Sequence, residues 1–278
     1  MEIGSAVAVD HFRAAHATFV EGTGPLEDAL EITFNRTIDT TDRLAAVLFF
    51  LGSRCADDFR EILLLAANGC GWGATAHLRG MFERSVTAAY LQENPSTVAD
   101  FIDYEYVRRW KVLRAIEQNF QVAPEDEASK AQLKTNFDRV SKRFVIPICE
   151  HCKTTRLNHT WSRLDVVSMA GSIRRRKLGS LIVPAYYLPL AQAHSTFASM
   201  AQRVREVGAG RFELDMTLAE AEGKRSLEYA HLLVLNTLVI LHEHFEIIEL
   251  GRPLGAAFRH FHATWLPNAA LPPELSSS

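Results

Sequence analysis

Cysteine is scarce in this 278-residue chain, with four residues at positions 55, 70, 149 and 152. So few, so irregularly spaced, exclude a secreted disulfide scaffold and point to reduced thiols. Long apolar runs are missing too. The longest, around Leu44–Leu51 and Leu232–Leu241, fall far short of the roughly 18–20 residues that cross a bilayer, so no membrane association is expected. The opening MEIGSAVAVDHF has an early glutamate and no basic stretch, unlike a secretory signal, and the expected location is the cytoplasm. No glycine-rich phosphate loop joins a strand to a helix, and no G-x-S-x-G elbow occurs. P-loop nucleotide chemistry and an α/β-hydrolase triad are therefore unsupported. Nothing in the sequence calls for a cofactor.

What is present is an ordinary globular composition, 47% hydrophobic and 23% charged, in a chain long enough to bury a sizeable core. No strand alternation of any length and no internal repeat is evident, so the expected fold class is all-α, a multi-helix bundle. Its organising stretch is residues 62–90, ILLLAANGCGWGATAHLRGMFERSVTAAY. After the glycines at 69, 71 and 73, Ala76, Gly80, Thr87 and Tyr90 fall at helical spacing, with Arg79 and Glu83 on the same stripe. One helical domain is expected over residues 1–266. Peripheral helices at 1–50 and 209–266 surround a core of about 55–207, and 267–278 form a flexible tail.

Local signals place the breaks. Pro25 opens a helix with Glu27 and Asp28 in its first turn. Thr40 or Thr41 caps the helix carrying LAAVLFFLG, with a break expected near Gly52. The glycine cluster reads as a bend or turn, because three glycines in five residues weaken a helix by about 2–3 kcal/mol. Asn94-Pro95-Ser96 stops the organising helix, and helices follow over about 97–120 and from Pro124 to about Phe144. Residues 146–160 read as irregular, and a helix from near Ser162 to the Arg174–Lys177 group precedes a break at Gly179–Pro184. A helix carrying YYLPLAQAHSTFASMAQRVREV is expected to end at Gly208, with Pro189 in its first turn or kinking it. The last long helix, about 217–250, is expected to close at Gly251.

Net charge is −3, but between Asp138 and Lys177 ten basic residues face three acidic ones, a local balance near +7. That segment is a candidate contact for an anionic ligand or RNA. It equally fits a basic surface.

Arg79 and Glu83, one turn apart among small and apolar neighbours, must either face water or be paired in a pocket. They either pin helices together or form an anion-binding arginine oriented by its glutamate. Tyr187 and His194, seven residues apart, fall on one face of a continuous helix. There the histidine could transfer protons near neutral pH while the tyrosine orients it. Small residues accompany both pairs, Ala76 and Gly80 on one helix, Ala191 and Ser195 on the other. Convergence of Arg79, Glu83, Tyr187 and His194 in one cavity is expected, with Trp161 and His159 at its edge.

The pattern of an apolar helix, Leu78-Arg79-Gly80-Met81-Phe82-Glu83, then Tyr90-Leu91 and Pro95, resembles a bacterial family known only as a domain of unknown function. Over roughly residues 55–200 the resemblance implies an L-R-x-x-x-E helix, a later tryptophan, and a tyrosine and histidine on one helix. Arg79, Glu83, Trp161, Tyr187 and His194 meet that pattern. A serine expected between tyrosine and histidine is Ala191 here, which removes the middle of a hydroxyl relay. The family is similar in helical character to HEPN proteins, many of them metal-independent ribonucleases or partners of nucleotidyltransferases. A HEPN ribonuclease would need an arginine and a histidine separated by four to six residues. Arg225-SLEYA-His231 is such a match, no more than chance supplies, and sites of that kind usually form across a homodimer.

Cys149-Glu-His-Cys152 with His159 looks like half a zinc site; structural zinc, a redox pair and plain loop cysteines all stay open. No second CxxC exists. A di-iron bundle would need a second partner for Glu228-x-x-His231; with plain loop cysteines the preferred reading at Cys149 and Cys152, no metal is assigned. The preferred reading is a binding or regulatory module with a polar Arg/Glu/Tyr/His pocket for an anionic ligand or partner. The alternatives are a HEPN-like ribonuclease or toxin, and an enzyme acting on a small anion.

Overall fold

The computed structural model describes residues 5–119, 127–149, 151–194, 197–201, 203–215 and 217–270. Twelve α-helices occur among them, in chain order α1 (Ala6–Ala15), α2 (Ala17–Glu21), α3 (Gly24–Phe34), α4 (Arg43–Ala67), α5 (Gly71–Glu93), α6 (Val98–Asn119), α7 (Glu127–Val140), α8 (Val166–Ser172), α9 (Leu188–Ala193), α10 (Phe197–Ala201), α11 (Thr217–Phe245) and α12 (Gly251–Trp265). Two antiparallel hairpins join them, β1 (Val145–Pro147) with β2 (Thr155–Leu157), and β3 (Val204–Gly208) with β4 (Arg211–Leu214). The protein is an all-α bundle carrying two small hairpins. The expected 267–278 tail lies largely outside the described residues.

The chain divides into two compact units, Met1–Glu93 with Met169–Ser278, and Asn94–Ser168. In the larger one, α4, α5 and α11 form the centre. Asp42 starts α4 by accepting the Ala45 N–H at 3.0 Å, the role expected of the neighbouring threonines. Helix α4 passes through Gly52 without a break, because that glycine is buried against Leu241. Gly69, at φ 73°, makes the turn into α5, a conformation that suits glycine. Gly71 already belongs to α5, and a Cβ there would lie 1.6 Å from the Ala219 carbonyl oxygen. The start of α5 thus touches the backbone of α11. Helix α5 is buried nearly all round, from Ala74, Leu78 and Met81 to Val86, Ala89 and Leu91, as a central helix must be. Along α5 and α11, which run in the same direction, Thr75 bonds Ser226 at 2.9 Å and Thr237 donates to Ser85 at 3.3 Å.

The smaller unit packs α6 on α7 around Tyr104, Val107, Val140 and Phe144. Arg143 pairs with Asp100 at 2.6 Å and with Asp103. The segment expected to be irregular holds β1 and β2, with Ile146 opposite Arg156.

Three further expectations about helix bounds need correction. The helix expected to reach Gly208 ends at Ala193; α10 and the β3–β4 hairpin follow. Val204-Arg-Glu-Val and Arg211-Phe-Glu-Leu flank Gly208-Ala209-Gly210, all three at positive φ, which is a hairpin turn rather than a helix stop. The helix expected from Ser162 to the basic group is only the short α8. The last long helix closes at Phe245, not Gly251. Glu246 takes the left-handed conformation at φ 50°, and the Ile247 N–H returns to the His242 carbonyl at 3.4 Å, a Schellman-type ending. Gly251 instead begins α12.

Candidate functional site

Helix α5 carries two arginine–carboxylate pairs five positions apart. Arg79 donates through Nε to Glu83 Oε1 at 2.9 Å, one turn along the same helix. Its guanidinium lies 5.1 Å from the centroid of the Tyr186 ring, a cation–π contact. Both Nη groups lack a hydrogen-bond partner among the described residues. The side chains of Arg79 and Glu83 are 29% and 37% exposed. The guanidinium is therefore fixed from one side and by its ring, and its outer fork is open.

Arg84 is held differently. Its side chain folds back along its own helix, as helical side chains do, over Gly80. A Cβ on that glycine would meet Arg84 Nη2 at 2.9 Å. From there Nε and Nη2 each reach an oxygen of Asp58 on α4, at 2.6 Å and 2.6 Å. The Asp58 side chain is 1% exposed. Burial pushes its pKa up against the opposing pull of the Arg84 bonds. Beside it, His77 Nδ1 stands 3.0 Å from Glu61 Oε2. One ligand atom each from Asp58, Glu61 and His77 lie within 4.8 Å of one another. Both oxygens of Asp58 are already engaged by Arg84, whose positive charge would oppose a cation at that point.

The tyrosine in contact with Arg79 is Tyr186, not Tyr187. Residues Val183–Tyr187 form a π-helical turn in which the Leu188 N–H reaches the Val183 carbonyl. Pro184 lies within its first turn and Pro189 just beyond it, and neither has an N–H to continue a regular ladder. Such a turn inserts a residue and rotates the face presented. Tyr186 then packs on Phe82 and Arg79 while Tyr187, 49% exposed, stacks at its edge with ring centroids 5.4 Å apart. His194 sits at the C-terminal end of α9 with extended backbone, exposed, and its carbonyl accepts from Ser199 Oγ at 3.0 Å. The structure thus brings Arg79 and Glu83 together with Tyr186 and, through it, Tyr187. Among the described residues no hydrogen bond, ion pair or ring contact joins His194 to them, and Ser195 lies outside the described residues.

Trp161 and His159 belong to the smaller unit. The indole packs against Phe101 at 5.3 Å between centroids and against the Tyr104/Phe144 cluster. His159 Nε2 is engaged at 3.2 Å by Arg156 Nη1; guanidinium only donates, so that nitrogen is the acceptor and its lone pair is occupied. Cys149 and Cys152 are free. Cys152 Sγ lies 2.6 Å from Thr154 Oγ1, and bonds from Thr154 and Cys149 bring its pKa down to about 7.

The Arg225–His231 pair is split by burial. Arg225 is tied to Glu222. His231 is fully buried among Phe19, Phe59 and Phe261. Trp265 Nε1, a donor only, is 3.2 Å from His231 Nδ1, so Nε2 must carry the ring hydrogen. Desolvation pulls its pKa down to about 3. A neutral, walled-in imidazole reaches no phosphodiester.

The basic segment is partly neutralised in place. Arg139 and Arg143 pair with Asp103, and Arg176, buried, pairs with Glu243 at 2.9 Å. Clefts of about 610 and 650 Å³ flank α3, and one of about 240 Å³ lies beside α1. None of the three is lined by Arg79, Glu83, Tyr187 or His194. No helix among the described residues is long and apolar enough to cross a membrane.

Sequence reasoning missed Asp58, Arg84 and Tyr186. The available signal was Gly80, a gap in the helix surface one turn before an arginine. The sequence model of DUF5677, described as a family of unknown function, matches residues 45–211, which contain every group of the Arg79 arrangement. No curated protein and no solved structure matches.

Proposed function

The chain belongs to the DUF5677 family, and from that premise we propose that it is a helical binding module whose Arg79 grips an anionic group, a carboxylate or a phosphate, on a ligand or partner. The observation that carries the reading is the half-engaged guanidinium, with Nε on Glu83, the plane over Tyr186 and both Nη groups without a partner among the described residues. An arginine held in this way loses little freedom on binding, and its planar fork matches two acceptor oxygens. Glu83 sets the orientation. Tyr186 supports the plane, and Tyr187 and His194 offer further donors on the following segment.

A HEPN-like ribonuclease using Arg225 and His231 is the weaker reading, because His231 is buried and neutral. RNA binding through residues 138–177 loses support from the internal pairing of Arg139, Arg143 and Arg176. Calorimetric titration of the full chain with inorganic phosphate, acetate and a nucleoside monophosphate tests the proposal. At least one should bind, and Arg79→Ala should weaken it about 10- to 100-fold, the range of one charge-assisted pair. Binding unchanged in Arg79→Ala, or none of the three binding the wild type, would defeat it.

A further inference from the structure

The β3–β4 hairpin is a two-stranded sheet in which every residue is exposed. Two strands alone are marginal in water; a third strand or a covering layer is normally needed. At its base Arg203 lies over the Trp72 ring at 5.0 Å. Beyond that, Phe212 and Leu214 are 63% and 71% exposed, a large apolar content for a free strand.

The register shows which edge is open and to what. Val204 faces Leu214, Arg205 faces Glu213 and Glu206 faces Phe212. The Asp215 N–H donates to the Arg203 carbonyl at 2.9 Å. Antiparallel ladders alternate, so Arg205 and Glu213 exchange the next ladder bonds. Phe212 and Leu214 then turn their N–H and C=O away from β3, onto an edge that no other strand pairs among the described residues. We propose that this edge pairs with β4 of a second copy of the chain, antiparallel about a two-fold axis at Phe212, to make a continuous four-stranded sheet.

Charge selects both the occupant and the register. With the axis at Phe212, the two Phe212 residues exchange main-chain hydrogen bonds and their rings meet. Arg211 then stands opposite Glu213 of the second copy, twice by symmetry. Glu213 already pairs with Arg205 across the hairpin, so each face row alternates Arg205, Glu213 and Arg211 of the other copy. Moving the axis to Glu213 sets the two glutamates against each other. The β3 edge fails the same test. Its outward groups are those of Val204 and Glu206, and a two-fold axis at Arg205 opposes two arginines, while one at Val204 opposes Arg203 to Arg205. Only β4 is complementary to itself in sign, shape and hydrogen bonding.

Sedimentation equilibrium on the full chain, whose protomer is 31.1 kDa, tests this. The wild type should associate to twice that mass in the micromolar range. Phe212→Pro removes an N–H that β3 does not use, a change edge strands tolerate, and should give a monomer with unaltered helical circular dichroism. Arg211→Glu, which leaves the backbone edge intact, should weaken the dimer roughly tenfold by facing Glu213 of the second copy with a like charge. A wild type that stays monomeric leaves the edge to some other occupant and overturns the proposal. So does a dimer that survives Phe212→Pro, or one that is indifferent to Arg211→Glu.

Discussion

Arg84 and Arg79 are the same residue on the same helix, each beside a carboxylate, yet they are used in opposite ways. Arg84 meets Asp58 with two bonds across a helix–helix interface, and the aspartate is sealed from water. Arg79 meets Glu83 with one bond along its own helix and keeps its outer fork open. The first pair fixes how α4 and α5 sit together. The second contributes little to stability and leaves a fixed cation at the surface. Having a charge pair says nothing about role; what distinguishes the two is which donors remain unused and how much water each partner sees.

The largest effect expected from breaking this contrast is at Asp58. Asp58→Ala leaves the Arg84 charge without its partner at a half-buried position and should cost about 3–5 kcal/mol, read as a fall in the urea midpoint with the slope unchanged. A loss under about 1 kcal/mol would mean that the sealed pair is no more than a surface bridge.

The histidines repeat the contrast, His231 sealed and His194 exposed. The folded-state pKa of His231 is about 3, against an unfolded value near 6.5. Between these values the unfolded chain binds a proton that the folded chain refuses. Stability therefore falls as pH drops below about 6.5, by roughly 1.4 kcal/mol per unit from this group. His231→Gln should flatten that part of the curve, measured as urea stability from pH 7 to 4. Equal slopes in wild type and His231→Gln would contradict the sealed assignment.

Gly80 sharpens the comparison further. An alanine there gains about 1 kcal/mol in helix propensity but pushes into Arg84 Nη2, which Asp58 holds in place. The expected outcome is a net loss of about 1 kcal/mol in the wild type. In an Arg84→Ala background the sign should reverse to a gain. Destabilisation in both backgrounds would place the obstacle elsewhere. The smallest effect is at Arg79 itself: Arg79→Ala should cost less than about 1 kcal/mol, since a part-exposed i,i+4 pair and one ring contact are all that is removed.

These differences also mark where the sequence could be read. Arg79 and Glu83 are one turn apart, so helical spacing alone joins them. Asp58 and Arg84 are 26 residues apart, and their meeting depends on the turn at Gly69 setting the register of α4 against α5. Pro25 and Asn94-Pro95 announced helix ends because their constraints are local. Tyr186 was hidden because the π turn shifts the face by one residue, a change no 3.6-residue period foresees. The β3–β4 hairpin was hidden for another reason: apolar positions before it continue a helical rhythm, and Gly208 serves a helix stop as well as a hairpin turn. His231 could be assigned only with its walls in view, since Phe19 and Trp265 come from distant segments.

The most direct measurement follows the side-chain Nε–H signals of Arg79 and Arg84 by NMR as each of inorganic phosphate, acetate and the nucleoside monophosphate that binds the chain is added. The Arg79 signal should shift along a saturable curve while the Arg84 signal, locked on Asp58, stays in place. A saturable shift at Arg84, or no shift at Arg79, would contradict the division of roles between the two arginines.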